Sequence, residues 1–435
     1  MSATGRILEF ARADHRLPDD VRQWALHLLG DTLATGAAGS TAPGADGVLA
    51  AAGGWGQGND SRVIARDIRL PAAGAAFVNG FQIHCLEWDA VHEPAVVHAL
   101  STVTASLLAA IDRRGGCDPE DALTALAVGV DIASGLGVSA TSALRFFRPA
   151  TAGVIGSALA VARIEGVDNV ADVMGLAYSQ AAGTMQAHVE GSITLPLQVA
   201  NAARSAIAAV DLVKAGLTAP HDVLEGPFGY FRLIDEGDPS AYAAELGSRW
   251  LIGEVSIKPF PSGRASHAVL ATIDALLREG AITRDNVVSI EAFVPPLIQR
   301  LVGRPFNPGM TPAYARLCLP LLVALMLTDK RIDPRRFTAE TFADPAIAAL
   351  AARLTVTLDG NEDPNALSPQ RLVVRLADGS VLERAIPHTL GHPLAKMTSA
   401  QTETKRSLAR ELAASEPDPR LFADPLAYFS DPESL

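Results

Sequence analysis

The densest group of chemically active side chains lies between positions 84 and 98. The segment HCLEWDAVHEPAVVH places three histidines and three carboxylates within fifteen residues of an otherwise apolar region. Imidazoles and partly desolvated carboxylates titrate near neutral pH, so His98 or Glu87 is suited to proton transfer. Because Pro94 disfavours a continuous helix, the segment is predicted to be a loop between apolar helices that forms the wall of a pocket.

Two other interpretations of this segment stay open. It can be a solvated or capped loop without a chemical role, or it can hold a metal ion. The spacing of His92, Glu93 and His98 is H-E-x4-H. It therefore lacks the one-turn separation that places two imidazoles on one helical face, and no metal site is predicted.

A second group of donors lies in KPFPSGRASH, residues 258–267. The two prolines stiffen the chain, and Gly263 permits close approach of the backbone to a ligand. Lys258, Ser262, Arg264 and His267 form a donor-rich patch that suits a carboxylate on a substrate. The alternative is an interdomain linker with a helix cap.

Arg148 is a third candidate because it stands before Pro149, at a predicted helix entrance. There a guanidinium and the first amides of a helix can face one anion. A lone arginine can equally be a surface charge. The sequence has no P-loop, no GxGxxG after a strand and no GxSxG, so nucleotide binding and serine hydrolysis lack support.

Helices must position most of these side chains. From Pro18 to about Gly253 the sequence has long apolar segments with helical spacing, rich in small residues that allow close helix packing. We expect one thick bundle there. Its predicted helices cover residues 20–34, 95–112, 118–138, 152–166, 170–189 and 199–215.

Beyond Ile257 strands alternate with helices. The predicted strands are residues 287–294, 354–359, 371–376 and 381–386, and the last two flank a turn at residues 377–380. Predicted helices cover residues 266–279, 313–329, 345–353 and 399–415. The fold class is therefore predicted as mainly α. A large all-helical domain spans residues 1–255, a smaller α+β domain spans residues 256–395, and a C-terminal segment of residues 396–435 returns to the bundle.

Composition limits the partners. Of 435 residues, 49% are apolar and 19% are charged, and 36 Lys and Arg against 48 Asp and Glu give a net charge of −12. This composition excludes disorder as the main state and provides no basic face for nucleic acid. The three cysteines are unpaired by spacing, and residues 317–327 are too short to span a membrane. We expect a cytoplasmic protein with no nucleic-acid or membrane partner.

In this order and spacing, the clusters resemble the MmgE/PrpD family, which includes 2-methylcitrate dehydratase, cis-aconitate decarboxylase and iminodisuccinate epimerase. The resemblance covers nearly the whole chain. It is carried by AAFVNG leading into HCLEWD, by His98, by GSIT before NAAR, and by KPFPS with His267 and the Leu319-Pro320 pair. It implies a large helical domain, a smaller α+β lid with a cleft between them, a homodimer, a small carboxylate substrate, and no metal or organic cofactor.

The resemblance also implies roles for individual residues. The implied activity is that of a lyase that removes a proton α to a carboxylate, with cationic donors stabilising the enolate-like charge. Glu87 stands where family members usually have Asp, while Asp89, His98 and Lys258 match family positions. The predicted catalytic residues are His98, Glu87 and Lys258, and the predicted substrate-binding residues are Arg148, Asp89, His92, Ser262, Arg264 and His267.

Besides Glu87, several positions depart from the family pattern, and residues 148–150 read RPA where members read HPT. Leu195, Gln198 and Leu321 stand where members have a lysine, a histidine and a tyrosine. These changes remove one cation and one phenol from the expected pocket. They leave two alternatives to a dehydratase or decarboxylase: an epimerase or isomerase that uses the same proton abstraction, and a repurposed member that binds a ligand in a more apolar pocket.

Overall fold

The computed structural model describes residues 2–363, 365–414 and 417–432, so the predicted helix end at Ser415 lies outside the described residues. The described residues form six strands: β1 (Ser61–Arg62), β2 (Arg69–Leu70), β3 (Val287–Val294), β4 (Leu354–Leu358), β5 (Gln370–Leu376) and β6 (Val381–Ile386). Three short 3₁₀ turns occupy Leu251–Glu254, Arg264–Ser266 and Pro334–Arg336.

The first helices of the described chain are α1 (Ala3–Arg12), α2 (Asp19–Gly39), α3 (Ala45–Gly53), α4 (Ala72–His84), α5 (Ala99–Arg114), α6 (Pro119–Val138), α7 (Arg148–Thr151), α8 (Gly153–Glu165), α9 (Val170–Tyr178), α10 (Gln186–Glu190), α11 (Thr194–Lys214), α12 (Tyr230–Leu233) and α13 (Ser240–Glu245). They are followed by α14 (His267–Arg278), α15 (Pro296–Val302), α16 (Pro312–Ala315), α17 (Leu319–Asp329), α18 (Ala339–Ala343), α19 (Pro345–Ala351), α20 (Ser399–Leu412), α21 (Arg420–Ala423) and α22 (Pro425–Ser430).

The core of the bundle is formed by α4, α5, α6, α8 and α11, which pack against one another. Small residues set how closely the axes approach. A Cβ added to Gly156 in α8 would lie 2.3 Å from the carbonyl oxygen of Gly129 in α6, and one added to Gly80 in α4 would lie 3.1 Å from Cα of Ala200 in α11. These distances explain the alanine- and glycine-rich composition, because larger side chains would separate helices that are buried on several sides.

The four strands predicted beyond Ile257 form one mixed sheet with the order β4-β3-β5-β6. Strand β3 is parallel to β4 and antiparallel to β5, and β5 pairs antiparallel with β6. The β5–β6 turn is the predicted one at residues 377–380. Gly379 adopts φ +86° there and Asp378 accepts a hydrogen bond from the amide of Ser380.

The predicted fold class is wrong. The protein is a helix-rich mixed α/β chain, because it combines the bundle with the four-stranded sheet and with a separate antiparallel ladder of β1 and β2. That ladder lies within the region predicted to be all-helical. Strands of two residues carry no readable alternation of polar and apolar side chains, so sequence periodicity could not reveal them.

Several predicted helices also have different bounds, and for three of them the backbone shows the reason. The helix predicted over residues 170–189 ends at Tyr178, and Gly183, with φ +117°, lies in the loop that follows. The helix predicted from residue 95 begins at Ala99, because Val96 takes a positive φ of 53° in the preceding turn. The helix predicted over residues 313–329 is divided into α16 and α17, and Pro320 stands in the first turn of α17.

The last long helix returns to the bundle. Helix α20 packs on α2, where Lys405 Nζ lies 2.7 Å from Asp31 Oδ1. The predicted domain boundaries stay a prediction. Among the described residues one helix, α6, is long and apolar enough to cross a membrane, but most of it is buried in the bundle, as in the core helix of a globular fold.

Candidate functional site

The histidine-rich segment is a loop between α4 and α5, as predicted. His84 is the last residue of α4, and His98 occupies the N-cap position of α5. Between them Glu87 takes a positive φ of 54°, and the backbone of His92 pairs with that of Val97. This compact loop brings the two ends of the segment together, so side chains fourteen residues apart in sequence meet.

Asp89 is the centre of the cluster. Its Oδ2 lies 2.8 Å from Nδ1 of His84 and 3.1 Å from Nδ1 of His98, and it also accepts a hydrogen bond from the Ser101 hydroxyl. The imidazole rings of the two histidines are edge to face with centroids 5.0 Å apart. The Asp89 carboxylate therefore forms a hydrogen bond with His84, whereas its contact with His98 is an electrostatic one at close distance, because Nδ1 of His98 has no hydrogen-bond partner among the described residues.

Lys258 reaches the same cluster from the segment that follows the bundle. Its Nζ lies 3.6 Å from Asp89 Oδ1 and 3.4 Å from Glu87 Oε2, and it donates a hydrogen bond to the Glu87 carbonyl at 3.1 Å. The ammonium is buried. Two groups predicted from separate motifs, the loop carboxylates and Lys258, are thus in contact.

The surroundings shift the pKa values of the two histidines in opposite directions. Burial alone would lower the pKa of His84, but the carboxylate of Asp89, 2.8 Å away, and that of Glu87 outweigh burial and raise it. Burial lowers the pKa of His98, with Lys258 and His84 adding to the effect of burial. At neutral pH, His84 is therefore suited to give up a proton and His98 to take one.

The two carboxylates of the cluster are held in the charged form. Burial would raise the pKa of Glu87 and of Asp89, but the nearby positive groups lower both. For Glu87 the main such group is Lys258, and for Asp89 it is His84. The cluster consequently contains a pair of anions next to the Lys258 ammonium and to His84, whose pKa is raised.

A metal ion is the other possible use of this cluster. The side chains of His84, Asp89 and His98 offer ligand atoms within 4.8 Å of one another. However, Asp89 Oδ2 already accepts hydrogen bonds from His84 and Ser101, and the Lys258 ammonium lies beside Oδ1. An oxygen occupied by N–H and O–H donors fits proton transfer better than cation ligation.

A cavity of about 70 Å³ adjoins the cluster. Its wall includes His84, Glu87 and His98, whereas Asp89 and Lys258 stand behind this wall and contact its members. At 10–15 Å³ per water, this space holds on the order of five water molecules. Much of the remaining wall is apolar, including Leu144, Phe147, Leu195, Val302 and Leu317.

Two of the predicted carboxylate binders also line the cavity, but each is already paired. Arg148 is buried, with Nε 3.1 Å from Asp235 Oδ2, and it donates to the Ser142 carbonyl at 2.7 Å. Arg264 Nη2 lies 2.7 Å from Glu93 Oε1. Because each guanidinium has a buried anion beside it, neither brings an uncompensated positive charge to the cavity.

Three other predicted binding residues do not line the cavity. His92 accepts a hydrogen bond from the amide of Ala95, and its Nε2 lies 3.6 Å from Glu254 Oε2. Ser262 and His267 contact each other at 3.1 Å between Oγ and Nε2. Burial lowers the pKa of His267 well below its usual range, so it is a neutral core histidine.

Sequence reasoning missed His188, which lines the cavity, and its partner Arg304. His188 falls in a stretch predicted as part of one apolar helix, and Arg304 lies 116 residues further on. The only sequence signal was a lone histidine before the GSIT run. Among the departures from the family pattern, Leu195 lines the cavity, whereas Gln198 hydrogen-bonds the backbone of Thr184.

Comparison with known proteins identifies the family of this chain. A profile of the MmgE/PrpD N-terminal domain matches residues 11–243, and a profile of the MmgE/PrpD C-terminal domain matches residues 260–420. The human cis-aconitate decarboxylase is 26% identical over 355 residues, covering 78% of this chain and 73% of that protein. A cis-aconitate decarboxylase-like protein oryM of Aspergillus oryzae is 25% identical and covers 92% of this chain and 88% of its own length.

The Aspergillus terreus cis-aconitate decarboxylase is 24% identical, covering 86% of this chain and 82% of its own length. Decarboxylases are lyases, so these relatives support the prediction that the chain is an enzyme of the lyase class. The two profiles together cover most of the sequence and confirm the resemblance seen in its motifs. The chain belongs to the MmgE/PrpD family.

Proposed function

We propose that this protein is a lyase that decarboxylates a small unsaturated polycarboxylate, with cis-aconitate as the first substrate to test. The observation that carries the proposal is the pair of imidazoles beside Asp89, which face one small cavity and whose pKa values are shifted in opposite directions. The relatives named as cis-aconitate decarboxylases support the choice of substrate. The proposed chemistry uses protein side chains alone.

In the proposed reaction a C–C bond breaks and CO2 leaves, and its electron pair spreads over the adjacent double bond and a second carboxylate. A C–H bond then forms when a protonated imidazole delivers its proton to carbon. His84 is suited to be that acid because Asp89 raises its pKa. The Lys258 ammonium keeps the charge of Glu87 and Asp89 compensated while the substrate is negative.

His98 has a complementary part. It is the neutral imidazole of the pair, and its Nδ1 lies 3.1 Å from Asp89. In a dehydration it would remove the proton α to the carboxylate, and in a decarboxylation it would accept and relay protons between product and solvent. Both reactions belong to the lyase class that the sequence predicts.

The test is to incubate the purified protein with cis-aconitate in D2O and to follow CO2 release and the product by NMR. We expect CO2 and one deuterium on carbon in the product, and a large loss of rate in His98→Gln. His221→Gln is the matched control, because His221 also pairs with a carboxylate but its side chain is 65% exposed. No consumption of cis-aconitate by the unaltered protein, or full activity in His98→Gln, would contradict the proposal.

An isomerase is the second candidate. The acid and the base lie together, with ring centroids 5.0 Å apart, and such a pair can remove a proton and return one to the same carbon. The same D2O experiment separates the two reactions. Deuterium entering a stereocentre of a hydroxy- or amino-dicarboxylate without CO2 or alkene would support the isomerase.

A further inference from the structure

Most positive groups around the cavity have a carboxylate partner in the protein. Arg148 pairs with Asp235, Arg264 pairs with Glu93, and Lys258 contacts Glu87. Arg304 differs from them. It is only 9% exposed, and the described residues place no carboxylate within ion-pair distance of its guanidinium. A guanidinium that is buried without an anion is costly, so it calls for one from outside the protein.

The described contacts of Arg304 leave part of its donor capacity unused. Nη2 donates to the carbonyl of His188 and lies 3.0 Å from Nδ1 of that ring, while Nη1 has no hydrogen-bond partner. The guanidinium also lies over the ring of Tyr314, 5.0 Å from its centroid. Stacking and the contact with His188 hold the guanidinium in place and leave Nη1 free for another acceptor.

Arg304 does not itself line the cavity; it stands behind His188, which forms part of the cavity wall and hydrogen-bonds the guanidinium. A guanidinium can only donate, so the ring nitrogen nearest to it, Nδ1, acts as acceptor and the ring proton lies on Nε2. Burial, with Arg304 adding to the effect, lowers the pKa of His188 to about 4. At neutral pH it is therefore a neutral hydrogen-bond donor in the cavity wall.

The protein supplies no carboxylate for this donor pair. Glu87 is the only carboxylate among the lining residues, and its oxygens lie 3.4 Å from Lys258 and 3.7 Å from His84. We propose that His188, with the Arg304 guanidinium behind it, forms a subsite for a carboxylate of the substrate other than the one that reacts. This inference rests on the proposed function, and it predicts that compounds with two carboxylates bind better than analogues with one.

The experiment measures binding to the whole protein by calorimetry, with two probes of the same carbon skeleton. Maleate and isocrotonate are both cis four-carbon alkenes, with two carboxylates and one. A charge-assisted contact strengthens binding by about tenfold or more, so the unaltered protein should prefer maleate by that factor. Arg304→Gln should remove this preference by weakening maleate and leaving isocrotonate nearly unchanged, and His188→Gln should reduce it.

Arg204→Gln is the matched control. Arg204 also lies over aromatic rings, at 4.8 Å from the centroid of Trp55, and among the described residues it has no carboxylate within ion-pair distance. Unlike Arg304, which hydrogen-bonds His188, it has no described hydrogen bond to a residue of the cavity wall. Its loss should leave both affinities unchanged. If Arg304→Gln does not fold, Arg304→Lys takes its place, since it keeps the charge, loses the planar fork and should give a smaller preference for maleate.

The subsite is overturned if the unaltered protein binds both probes equally, or neither. It is also overturned if Arg304→Gln or Arg304→Lys keeps the full preference, or if Arg204→Gln loses as much of it. Failure of the proposed function looks different: the protein would prefer maleate through Arg304 yet release no CO2 from cis-aconitate. Failure of the subsite alone would show as normal decarboxylation with an unchanged KM in Arg304→Gln.

Discussion

At the scale of single residues, the central feature is the carboxylate of Asp89, which lies at different distances from two histidines. Asp89 lies closer to His84 than to His98, at 2.8 against 3.1 Å. Glu87 adds a second negative charge near His84, while the Lys258 ammonium opposes a proton on His98. Two identical side chains therefore become an acid and a base through their surroundings.

The first prediction concerns the pH dependence of activity. The folded pKa of His98 lies below the usual 6.5 and that of His84 lies above it. Activity needs neutral His98 and protonated His84, so it should rise with pH through a midpoint below 6.5 and fall through one above 6.5. A profile of kcat against pH checks this. An acid limb centred above 6.5 would be inconsistent with these assignments.

The second prediction is that Asp89→Asn disables the site without unfolding it. Asparagine keeps the shape but cannot hold the charge that raises the pKa of His84. We expect kcat to fall by on the order of 10² or more, with the alkaline limb moved to lower pH. Asp172→Asn is the control, because Asp172 pairs with His221 at 2.9 Å outside the cavity. Equal losses in both variants would argue against a special role for Asp89.

The sequence could identify part of this site. One sequence signal is the local concentration of polar side chains that contains Glu87, Asp89 and His98. The other is the proline-rich motif that contains Lys258. Both can be recognised because each lies within a short stretch of sequence. His188 and Arg304 have no local pattern, and only the fold brings them together. The pairing of Arg148 with Asp235 was hidden for the same reason, since the two lie 87 residues apart.

At the scale of elements, a buried ion pair ties the catalytic loop to two other segments. Arg264 contacts Glu93 of the loop and donates to the carbonyls of Leu390 and Thr389 at 2.6 and 3.1 Å. The backbone pairing of Val91 with Ser256 joins the same segments. The loop geometry that holds Asp89 therefore depends on contacts with distant parts of the chain.

The third prediction tests the ion pair of Arg264 and Glu93. Glu93→Gln leaves the buried guanidinium of Arg264 without its anion, and we expect a loss of about 3–5 kcal/mol in the free energy of unfolding. Urea denaturation measures it. Combining Glu93→Gln with Arg264→Met should cost less than the sum of the single changes, because the lone buried charge is gone. Strict additivity would show that the two side chains do not interact.

Element types were predictable where their sequence signals were long. The strands β3 to β6 were found because each has at least five residues of β-rich sequence, and the turn at Gly379 has ordinary turn chemistry. The helix bounds at residues 95 and 189 were wrong because positive φ angles at Val96 and Gly183 fall within apolar stretches. Hydrophobicity alone does not report such backbone turns.

At the scale of the whole molecule, α20, the last long helix, packs on α2 of the bundle. Lys405 is buried, pairs with Asp31 of α2 and donates to the carbonyl of Trp88, which lies in the catalytic loop. The last long helix is thereby joined to the residue beside Asp89. The predicted homodimer and cytoplasmic location stay predictions.

The fourth prediction follows from this contact. Lys405→Met should lower the free energy of unfolding by about 3–5 kcal/mol, because it leaves Asp31 buried without a partner. Asp31→Leu combined with Lys405→Met should recover part of the loss. Thermal denaturation of both variants is the measurement. An unaltered melting temperature in Lys405→Met would show that the return of α20 does not depend on this pair.

The most direct test of the account is the protonation of the two histidines themselves. Nitrogen-15 NMR of labelled protein, with signals assigned through His84→Gln and His98→Gln, gives each pKa separately. We predict that His84 titrates above the usual 6.5 and His98 below it, and that Asp89→Asn lowers the pKa of His84. If both histidines titrate near 6.5, or if the pKa of His84 is unchanged in Asp89→Asn, the assignment of His84 as the acid and His98 as the base is contradicted.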